Sequence, residues 1–325
     1  MRDRVEVWTY TKCNNGTFFV DSLLGSGGGG RVFKVLAEDG REYALKELHG
    51  DLNRIHPHLV THFLVQHTEL DDEPIVDVIA VDIERARILL SIVKPFEIND
   101  KEIHNGRELQ RELKKQPLPH RLLCVLQLFV QHVEGFRERA ERGVHIFDIK
   151  LRNLVPTLGR QIEFQGDVYD VPLEYTIVDL DYYYTNSTVH TYCADGYAQG
   201  TPGYISPECW QGRSITYRAN LFALGVCMYE LLMGQSFWYK MKAYMVSSKC
   251  SNETEYKAYV SKRLDDAWDV IQDEVDVETS ELYGLVIETI ECLLSYDPDE
   301  REEAFELFRD IREVWGGEVV IVDSA

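Results

Sequence analysis

The stretch from Val144 to Val155 has the sequence VHIFDIKLRNLV, and it limits the possible folds more than any other segment of the chain. Asp148 is followed two residues later by Lys150 and five residues later by Asn153, with aliphatic residues on both sides. A solvated loop with Asp and Asn as turn residues explains each of these residues singly. It does not explain a carboxylate, an amine and an amide together at this spacing, so the segment indicates a loop that carries chemistry.

A glycine-rich sequence, GSGGGGRV, lies far upstream. Gly25, Gly27 and Gly30 fit the pattern G-x-G-x-x-G, and residues without Cβ let backbone N–H groups approach phosphate oxygens closely. Alone the pattern is weak, because it also occurs in plain turns and in dinucleotide folds, where it joins a strand to a helix. Here apolar residues with strand character stand on both sides, at 18–20 and 32–35, and they predict a hairpin.

A third strand follows this hairpin. The turn Glu38–Gly40 leads to Glu42–Lys46, with the sequence EYALK. A solvated strand lysine is the ordinary explanation of Lys46, and only the other motifs argue against it.

Three segments downstream extend the pattern. Tyr175–Asp181 has the sequence YTIVDLD, Gly200–Glu208 has GTPGYISPE, and Leu294–Arg301 has LSYDPDER. Between the last two, residues 217–226 have the sequence YRANLFALGV, which predicts a core helix.

Together these segments resemble the protein kinase superfamily, over roughly residues 15–315. The resemblance implies an α+β, bilobal fold with a small antiparallel-sheet N-lobe, one regulatory helix and a larger helical C-lobe. The N-lobe would span residues 1–97 and the C-lobe residues 98–314. Residues 315–325 would be a C-terminal tail, and the insert at 156–174 has no assigned role.

The resemblance also implies the catalytic residues. Asp148 would accept or orient the proton of a substrate hydroxyl, and Lys150 would steady the transferring γ-phosphoryl group. Thr201 would hydrogen-bond near both of them. Lys46 would hold the α- and β-phosphates of ATP.

ATP and Mg²⁺ are the implied cofactors. Asn153 and Asp179 would hold the metal, because Mg²⁺ prefers hard oxygen ligands and must bridge phosphates. The implied nucleotide-binding positions lie in the glycine loop, on the strands beside it and near the hinge: Gly25, Ser26, Gly27, Gly28, Gly29, Gly30, Val32, Ala44, Lys46 and Ile92. Glu208 and Arg301 would form a buried ion pair.

Several positions depart from the family pattern. Ile146 and Phe147 replace the usual His-Arg, Asp181 replaces the glycine of Asp-Phe-Gly, and Asn220 replaces an aspartate. Without that arginine, a phosphate on the activation segment has no cationic partner, so we predict activity that does not depend on one.

The sequence leaves two alternatives for the regulatory helix. Apolar spacing predicts a helix over Asn53–Leu70, in which Glu69 is the only available partner for Lys46 and lies late. His56–Val60 equally resembles the loop after this helix, in which case the partner is missing.

Composition limits the class of protein. The chain has 55 Asp and Glu against 34 Lys and Arg, so its net charge of −21 disfavours nucleic acid and favours a basic protein substrate. No apolar run reaches the roughly 18 residues that cross a bilayer, and the N-terminus lacks a secretory signal. The seven cysteines include no C-x-x-C pair. We therefore expect a soluble intracellular protein, either cytoplasmic or delivered into a host cytosol.

Three functions remain open from the sequence. An active serine/threonine protein kinase fits Lys46, Asp148, Asn153 and Asp179, and a lysine at position 150 is more typical of serine/threonine than of tyrosine kinases. A nucleotide-binding pseudokinase that acts as a scaffold or allosteric partner would fit the departures. A small-molecule kinase would lack the segment Gly200–Glu208.

Overall fold

The computed structural model of the 325-residue chain describes residues 4–7, 16–27, 30–49, 75–82, 86–130, 133–142, 144–146, 148–179, 183–185, 200–213, 216–275, 280–318 and 320–322. The chain forms two compact units. The first comprises Met1–Lys94 and Thr176–Tyr183, and the second comprises Pro95–Tyr175 and Tyr184–Ala325. The chain thus returns briefly to the first unit, and this return places Asp179 in the same unit as Lys46. The expected regulatory helix, with Glu69, lies outside the described residues.

In the described part of the first unit, six strands form an antiparallel sheet. The strands are β1 (Arg4–Val7), β2 (Gly16–Gly27), β3 (Gly30–Ala37), β4 (Glu42–Leu48), β5 (Val78–Asp82) and β6 (Arg87–Ser91), in the spatial order β1-β2-β3-β4-β6-β5. The predicted hairpin and third strand are therefore confirmed. Gly40, with φ +84°, donates its N–H to Ala37 O at 3.0 Å in the turn before β4.

The core of this sheet is a cluster of alternating apolar side chains. Phe18, Val35, Leu45, Ala80 and Leu89 each expose less than a tenth of their surface, and Val35 and Leu45 expose none. Burying one such aliphatic side chain stabilises a fold by about 1.5–3 kcal/mol. Successive strand residues point to opposite faces, so the residue after Leu45 lies on the opposite face of β4 from this cluster.

Helices make up most of the second unit. They are α1 (Gly106–Leu113), α2 (Leu118–Val125), α3 (Glu134–Glu141), α4 (Pro207–Trp210), α5 (Arg218–Met233), α6 (Ala243–Cys250), α7 (Glu253–Glu274), α8 (Ser280–Leu293) and α9 (Ala304–Glu318). A π-helical turn, Leu126–Val130, continues α2, and 3₁₀ turns span Leu151–Asn153 and Glu300–Glu303. The mixed α+β class is confirmed.

Helix α5 is the centre of the second unit. Almost every residue from Ala219 to Met233 is buried, as expected for a helix that is apolar on all sides. Gly225 lets α8 approach closely, because a Cβ at this position would lie 2.8 Å from Leu293 Cβ. The predicted core helix at residues 217–226 is therefore the first part of α5.

Further strands complete the second unit. They are β7 (Phe96–Ile98), β8 (Lys101–Ile103), β9 (Val144–Ile146), β10 (Leu154–Phe164), β11 (Asp167–Ile177), β12 (Tyr183–Thr185) and β13 (Val320–Val322). The last two residues of β11 and the first residue of β12 belong to the first unit. Neither the β7–β8 hairpin nor α1 is among the elements predicted from the sequence. Asn105 caps α1 by accepting hydrogen bonds from the N–H groups of Arg107 and Glu108 at 3.1 Å.

The insert and the tail form one sheet. β10 and β11 form a long hairpin whose turn, Gln165-Gly166, has positive φ at both residues, +55° and +82°. β13 pairs antiparallel with β10 on its other edge, with Ile162 opposite Ile321. Residues 315–325, which the sequence left as a tail, therefore contribute the end of α9 and a strand.

Candidate functional site

The loop that begins at Asp148 is shaped by its own hydrogen bonds. Asp148 has φ +62°, a left-handed conformation that Asp tolerates better than most residues. Asn153 donates its backbone N–H to Lys150 O at 2.9 Å and its side-chain Nδ2 to Asp148 O at 3.0 Å. Because the amide nitrogen of Asn153 is used to hold the loop, its amide oxygen is the atom that could bind a metal.

The carboxylate of Asp148 is held by two neighbours. Its Oδ1 accepts the backbone N–H of Thr201 at 2.7 Å, and its Oδ2 accepts from Lys150 Nζ. Lys150 Nζ also donates to Thr201 Oγ1 at 2.8 Å. The Asp148 side chain is only 5% exposed, so these charge-assisted bonds fix its direction. The predicted contacts of Thr201 with Asp148 and Lys150 are confirmed.

Two glycines and a tryptophan fix the loop that carries Thr201. Gly200 has φ +120°, and a Cβ there would lie 3.5 Å from Asp148 Oδ1. Gly203 has φ +100°, and its carbonyl accepts from Trp238 Nε1 at 2.7 Å. Trp238 in turn stacks on Tyr259 of α7, with ring centroids 5.0 Å apart and planes 4° from parallel. The loop is therefore tied to Trp238 and, through it, to α7.

Glu208 and Arg301 form the predicted ion pair. Arg301 Nη1 and Nη2 donate to the two oxygens of Glu208 at 2.7 and 2.8 Å. Arg301 also donates to Ser295 O at 2.9 Å and to Arg218 O at 3.0 Å. Arg301 is fully buried and Glu208 is 4% exposed, so the pair lies out of water with its donors satisfied.

A buried polar network around Glu230 is not among the features predicted from the sequence. This carboxylate, 3% exposed near the end of α5, accepts from Tyr204 Oη at 2.6 Å and from Arg107 Nη1 at 3.1 Å. It also accepts the backbone N–H of Phe237 at 3.2 Å. Burial, and then the Glu230 charge, raise the pKa of Tyr204 well above its usual value. A lone carboxylate inside an apolar helix was the signal that could have pointed to it.

The first unit holds a second pair of predicted site residues. Lys46 Nζ donates to Asp179 Oδ1 at 2.8 Å, and the Lys46 and Asp179 side chains are 10% and 30% exposed. Asp179 lies two residues after β11, whose last residue, Ile177, accepts the N–H of Val76 at 3.0 Å. Lys46 and Asp179 therefore meet within the first unit, whereas Asp148, Lys150, Asn153 and Thr201 meet within the second.

The glycines of the loop have different surroundings. A Cβ added to Gly25 or Gly27 would meet no atom within 4 Å, so both leave open space beside the backbone. A Cβ at Gly30 would lie 2.2 Å from Glu47 O on β4, so this glycine is required by strand pairing. Ser26 is exposed, and Gly28 and Gly29 lie outside the described residues.

The remaining predicted nucleotide-binding positions lie on or beside the sheet. Val32 pairs with Gly25 on one side and with Lys46 on the other. Ala44, 8% exposed, pairs with Leu90 of β6. Ile92 directly follows β6 and is half-buried. Their contact with adenine stays a prediction.

Hard oxygen donors suited to Mg²⁺ are present in both clusters. They are the Asp179 carboxylate and the amide oxygen of Asn153, and these residue types fit the metal. Within the described ranges, no group of three or more His, Cys, Asp and Glu residues could hold a metal ion by itself. That Asp179 and Asn153 bind Mg²⁺ stays a prediction.

None of the helices that the structure describes combines the length and apolar content needed to cross a bilayer.

Three relatives are identical to this chain at about a quarter of the aligned positions. A brassinosteroid LRR receptor kinase BRI1 of Oryza sativa subsp. japonica is 25% identical over 230 residues, covering 69% of this chain and 18% of that protein. Protein kinase C delta type of Homo sapiens is 24% identical over 240 residues, covering 70% and 30%. Serine/threonine-protein kinase BRI1-like 2 of Arabidopsis thaliana is 23% identical over 236 residues, covering 69% and 18%.

This chain therefore spans less than a third of the length of each of these relatives. The model of the protein kinase domain matches residues 18–310, which include both clusters and the Glu208–Arg301 pair. With the α+β fold, this match shows that the chain belongs to the protein kinase domain family.

Proposed function

We propose that this chain is an ATP- and Mg²⁺-dependent protein kinase that transfers the γ-phosphoryl group to serine or threonine hydroxyls of a protein. The observation that carries this proposal is the arrangement around Asp148. One carboxylate oxygen is held by the Thr201 N–H at 2.7 Å, and the other faces Lys150 Nζ, which also reaches Thr201 Oγ1. A buried acid and a cation fixed in one geometry suit proton acceptance beside a developing negative charge.

Each residue then has a role in an in-line transfer. Lys46 and the backbone N–H groups of the glycine loop bind the phosphates of ATP. Asp179 and Asn153 would hold Mg²⁺, which when bound would neutralise charge on the phosphates. Asp148 orients the attacking hydroxyl and takes its proton, while Lys150 stabilises the charge of the transferring group. Positioning and charge neutralisation supply most of the rate in such reactions.

The choice of serine and threonine as acceptors rests on position 150. A lysine two residues after the catalytic aspartate resembles serine/threonine kinases, and here it is bonded to Thr201 at 2.8 Å. One relative is named a serine/threonine-protein kinase, at 23% identity. The Glu208–Arg301 pair that anchors the segment Gly200–Glu208 supports a protein substrate and disfavours a small-molecule one.

A pseudokinase is the second candidate, and the Lys46–Asp179 bond favours it. A direct 2.8 Å pair engages the two side chains that ATP and Mg²⁺ would need. The departures from the family pattern at Ile146, Phe147 and Asp181 also favour a pseudokinase. In that case the chain would bind nucleotide without transferring phosphate.

An intracellular location is also proposed. It is supported by the free thiols of Cys124, Cys209, Cys227, Cys250 and Cys292, which suit a reducing compartment.

The test is transfer from labelled ATP and Mg²⁺ to a generic protein acceptor such as histone. Asp148→Ala and Asp179→Asn should each abolish transfer, while Lys262→Ala, an exposed residue on α7, should not. A parallel thermal melt with ATP separates the candidates. A rise in melting temperature without any transfer would reject the kinase and support the pseudokinase.

A further inference from the structure

The surface just after α5 differs in charge from the rest of the chain. Residues 234–252, which follow α5, contain three lysines and no Asp or Glu, although the whole chain has a net charge of −21. The carboxylate that precedes them is Glu230. Glu230 is buried and bonded to Arg107 and Tyr204, so it contributes little to the surface. The exposed part of this segment is therefore positive.

The same surface exposes large side chains. Tyr244 is 70% exposed, Tyr239 52% and Met245 38%, at the beginning of α6 and just before it. Two exposed lysines, Lys240 and Lys242, lie between them in the sequence. Tyrosine and methionine are enriched in protein interfaces, where a flat apolar side chain can be buried. We call these five residues the basic aromatic patch.

The lysines of the patch are available to a partner. Lys240 Nζ lies 4.8 Å from the centroid of the Tyr239 ring, a cation–π contact. Among the residues that the structure describes, neither Lys240 nor Lys242 pairs with a carboxylate, whereas Lys249, near the end of α6, bonds Glu255 at 3.1 Å. An incoming carboxylate would therefore gain a partner at Lys240 and Lys242 without displacing an existing one.

The patch is attached to the loop that carries Thr201. Trp238, directly before Tyr239, donates to Gly203 O at 2.7 Å and is 5% exposed. Tyr259 and Arg263 of α7 bind the carbonyl of Phe237 at 2.6 and 3.1 Å, so the base of the patch is fixed. A segment bound at the patch would therefore lie beside the loop Gly200–Glu208, on a rigid surface that needs little ordering.

We propose that the basic aromatic patch is a docking surface for an acidic protein segment that carries aromatic or aliphatic side chains. Resting on the proposed kinase function, we assign this segment to the protein substrate, at a distance from its phosphorylated hydroxyl. The net charge of the whole chain favours basic partners, whereas this surface selects the opposite sign. A nucleic acid is the less suitable polyanion, because the remainder of the chain repels its backbone.

Binding tests the surface without any activity. The probe is a short fluorescein-labelled peptide in which Phe and Leu alternate with Glu and Asp, followed by anisotropy with the full chain. Lys240→Glu with Lys242→Glu should weaken binding by roughly tenfold or more, and so should Tyr244→Ala. Lys262→Glu, an exposed residue with the same charge change on α7, should leave binding unchanged.

Three binding results would overturn the proposal. They are equal binding by all variants, an equal loss in Lys262→Glu, and a DNA duplex that binds through the same lysines more tightly than the peptide. Circular dichroism melts of each variant establish that the fold is retained. A peptide with Gln and Asn in place of its acids should bind weakly; tight binding would contradict charge recognition.

Transfer measurements test the assignment to the substrate. Fusing the acidic segment to a phosphoacceptor should lower the KM of wild-type chain about tenfold, but not that of the double lysine variant. Both proteins should phosphorylate the unfused acceptor equally, since the patch lies outside the catalytic clusters. If no acceptor is phosphorylated at all, the kinase function and the assignment of the acidic segment to the substrate are both rejected. The peptide-binding measurement still tests whether the patch is a docking surface. Transfer with no KM difference would reject the substrate assignment alone.

Discussion

Arg301 donates two hydrogen bonds to Glu208, of 2.7 and 2.8 Å, although the two residues are 93 positions apart in the sequence. Arg301 is fully buried. Glu208 lies in the first turn of α4, which follows the Thr201 loop, and Arg301 lies in the turn that precedes α9. The pair therefore joins the loop to the last helices of the second unit. It also places two opposite charges where neither can be solvated alone.

Removing one member of this pair should destabilise the fold strongly. Arg301→Met leaves a buried, unpaired carboxylate and should lower the free energy of unfolding by about 3–5 kcal/mol, measured by urea denaturation. Arg301→Met with Glu208→Leu should recover much of that loss. Arg309→Met, whose side chain is 59% exposed, is the control and should change little. A single variant as stable as wild type would contradict the structure of this pair.

Two glycines of the glycine-rich loop should differ in what they are needed for: Gly30 for the stability of the sheet, and Gly27 for ATP binding. Gly30→Ala should lower the melting temperature, because its Cβ would lie 2.2 Å from Glu47 O and force β3 from β4. Gly27→Ala has open space and should leave stability within about 0.5 kcal/mol. Gly27→Ala should nevertheless weaken ATP binding, because the added methyl group would keep phosphate oxygens away from the backbone N–H groups of the loop. Titration calorimetry measures this binding. Equal melting temperatures for the two variants would exclude this division.

Lys46 should be essential for transfer, and a lysine on the neighbouring strand should not. Lys46→Met removes the cation bonded to Asp179 at 2.8 Å and should lower kcat by about 100-fold or more. Lys34→Met is the matched control, since Lys34 on β3 is more exposed and bonds Glu42 at 2.6 Å. Single-turnover transfer from labelled ATP measures both. Wild-type rates in Lys46→Met would remove Lys46 from the mechanism.

Stability should fall at high pH because buried tyrosines resist ionisation. Burial raises the pKa of Tyr229 to about 12, and raises those of Tyr204 and Tyr256 well above their usual value. Above about pH 10, tyrosines of the unfolded chain release protons that the folded chain keeps, so the free energy of unfolding decreases as pH rises. Urea midpoints between about pH 8 and about pH 11 measure this. Tyr256→Phe should reduce the slope, and a pH-independent midpoint would oppose the assignment.

The terminal strand should protect its neighbour. Deleting residues 319–325 removes the partner of Gln161–Glu163 and should accelerate amide hydrogen exchange there, while Val171 on β11 should keep its protection from β10. Exchange followed by mass spectrometry measures both segments. Unchanged exchange at Ile162 would mean that β13 does not pair in solution.

The parts of the site that could be predicted are those with fixed spacing in the chain. Asp148, Lys150 and Asn153 lie within six residues, so a single turn must bring them together, and the structure does so. Arg301 was found because its own motif marks it. Glu230 was missed because Arg107 and Tyr204 lie 123 and 26 positions from it, and no fixed spacing in the sequence links the three. Spacing in the sequence can predict a loop of a few residues. A buried network between distant residues is visible only in the folded structure.

The strands that could be predicted from the sequence are likewise those that depend on residues close together in the chain. The glycine hairpin and strand β4 follow from alternation and turn residues over a few positions. The β10–β11 hairpin was left as an insert because β10 has an irregular burial pattern, with Leu158 at 59% exposure and φ +47°. β13 could not be predicted because its partner lies about 160 residues earlier, and pairing at that distance leaves no periodic signal in three residues.

The pairing of Ile162 with Ile321 also has a consequence for the order of synthesis. During synthesis from the N-terminus, β10 leaves the ribosome long before β13. Until β13 is made, the backbone N–H and C=O groups on that edge of β10 have no strand partner. The second unit can complete this sheet only after residue 322 has left the ribosome tunnel. Chains stalled before that point would present a strand edge open to pairing with other chains, which is where we expect their aggregation to begin.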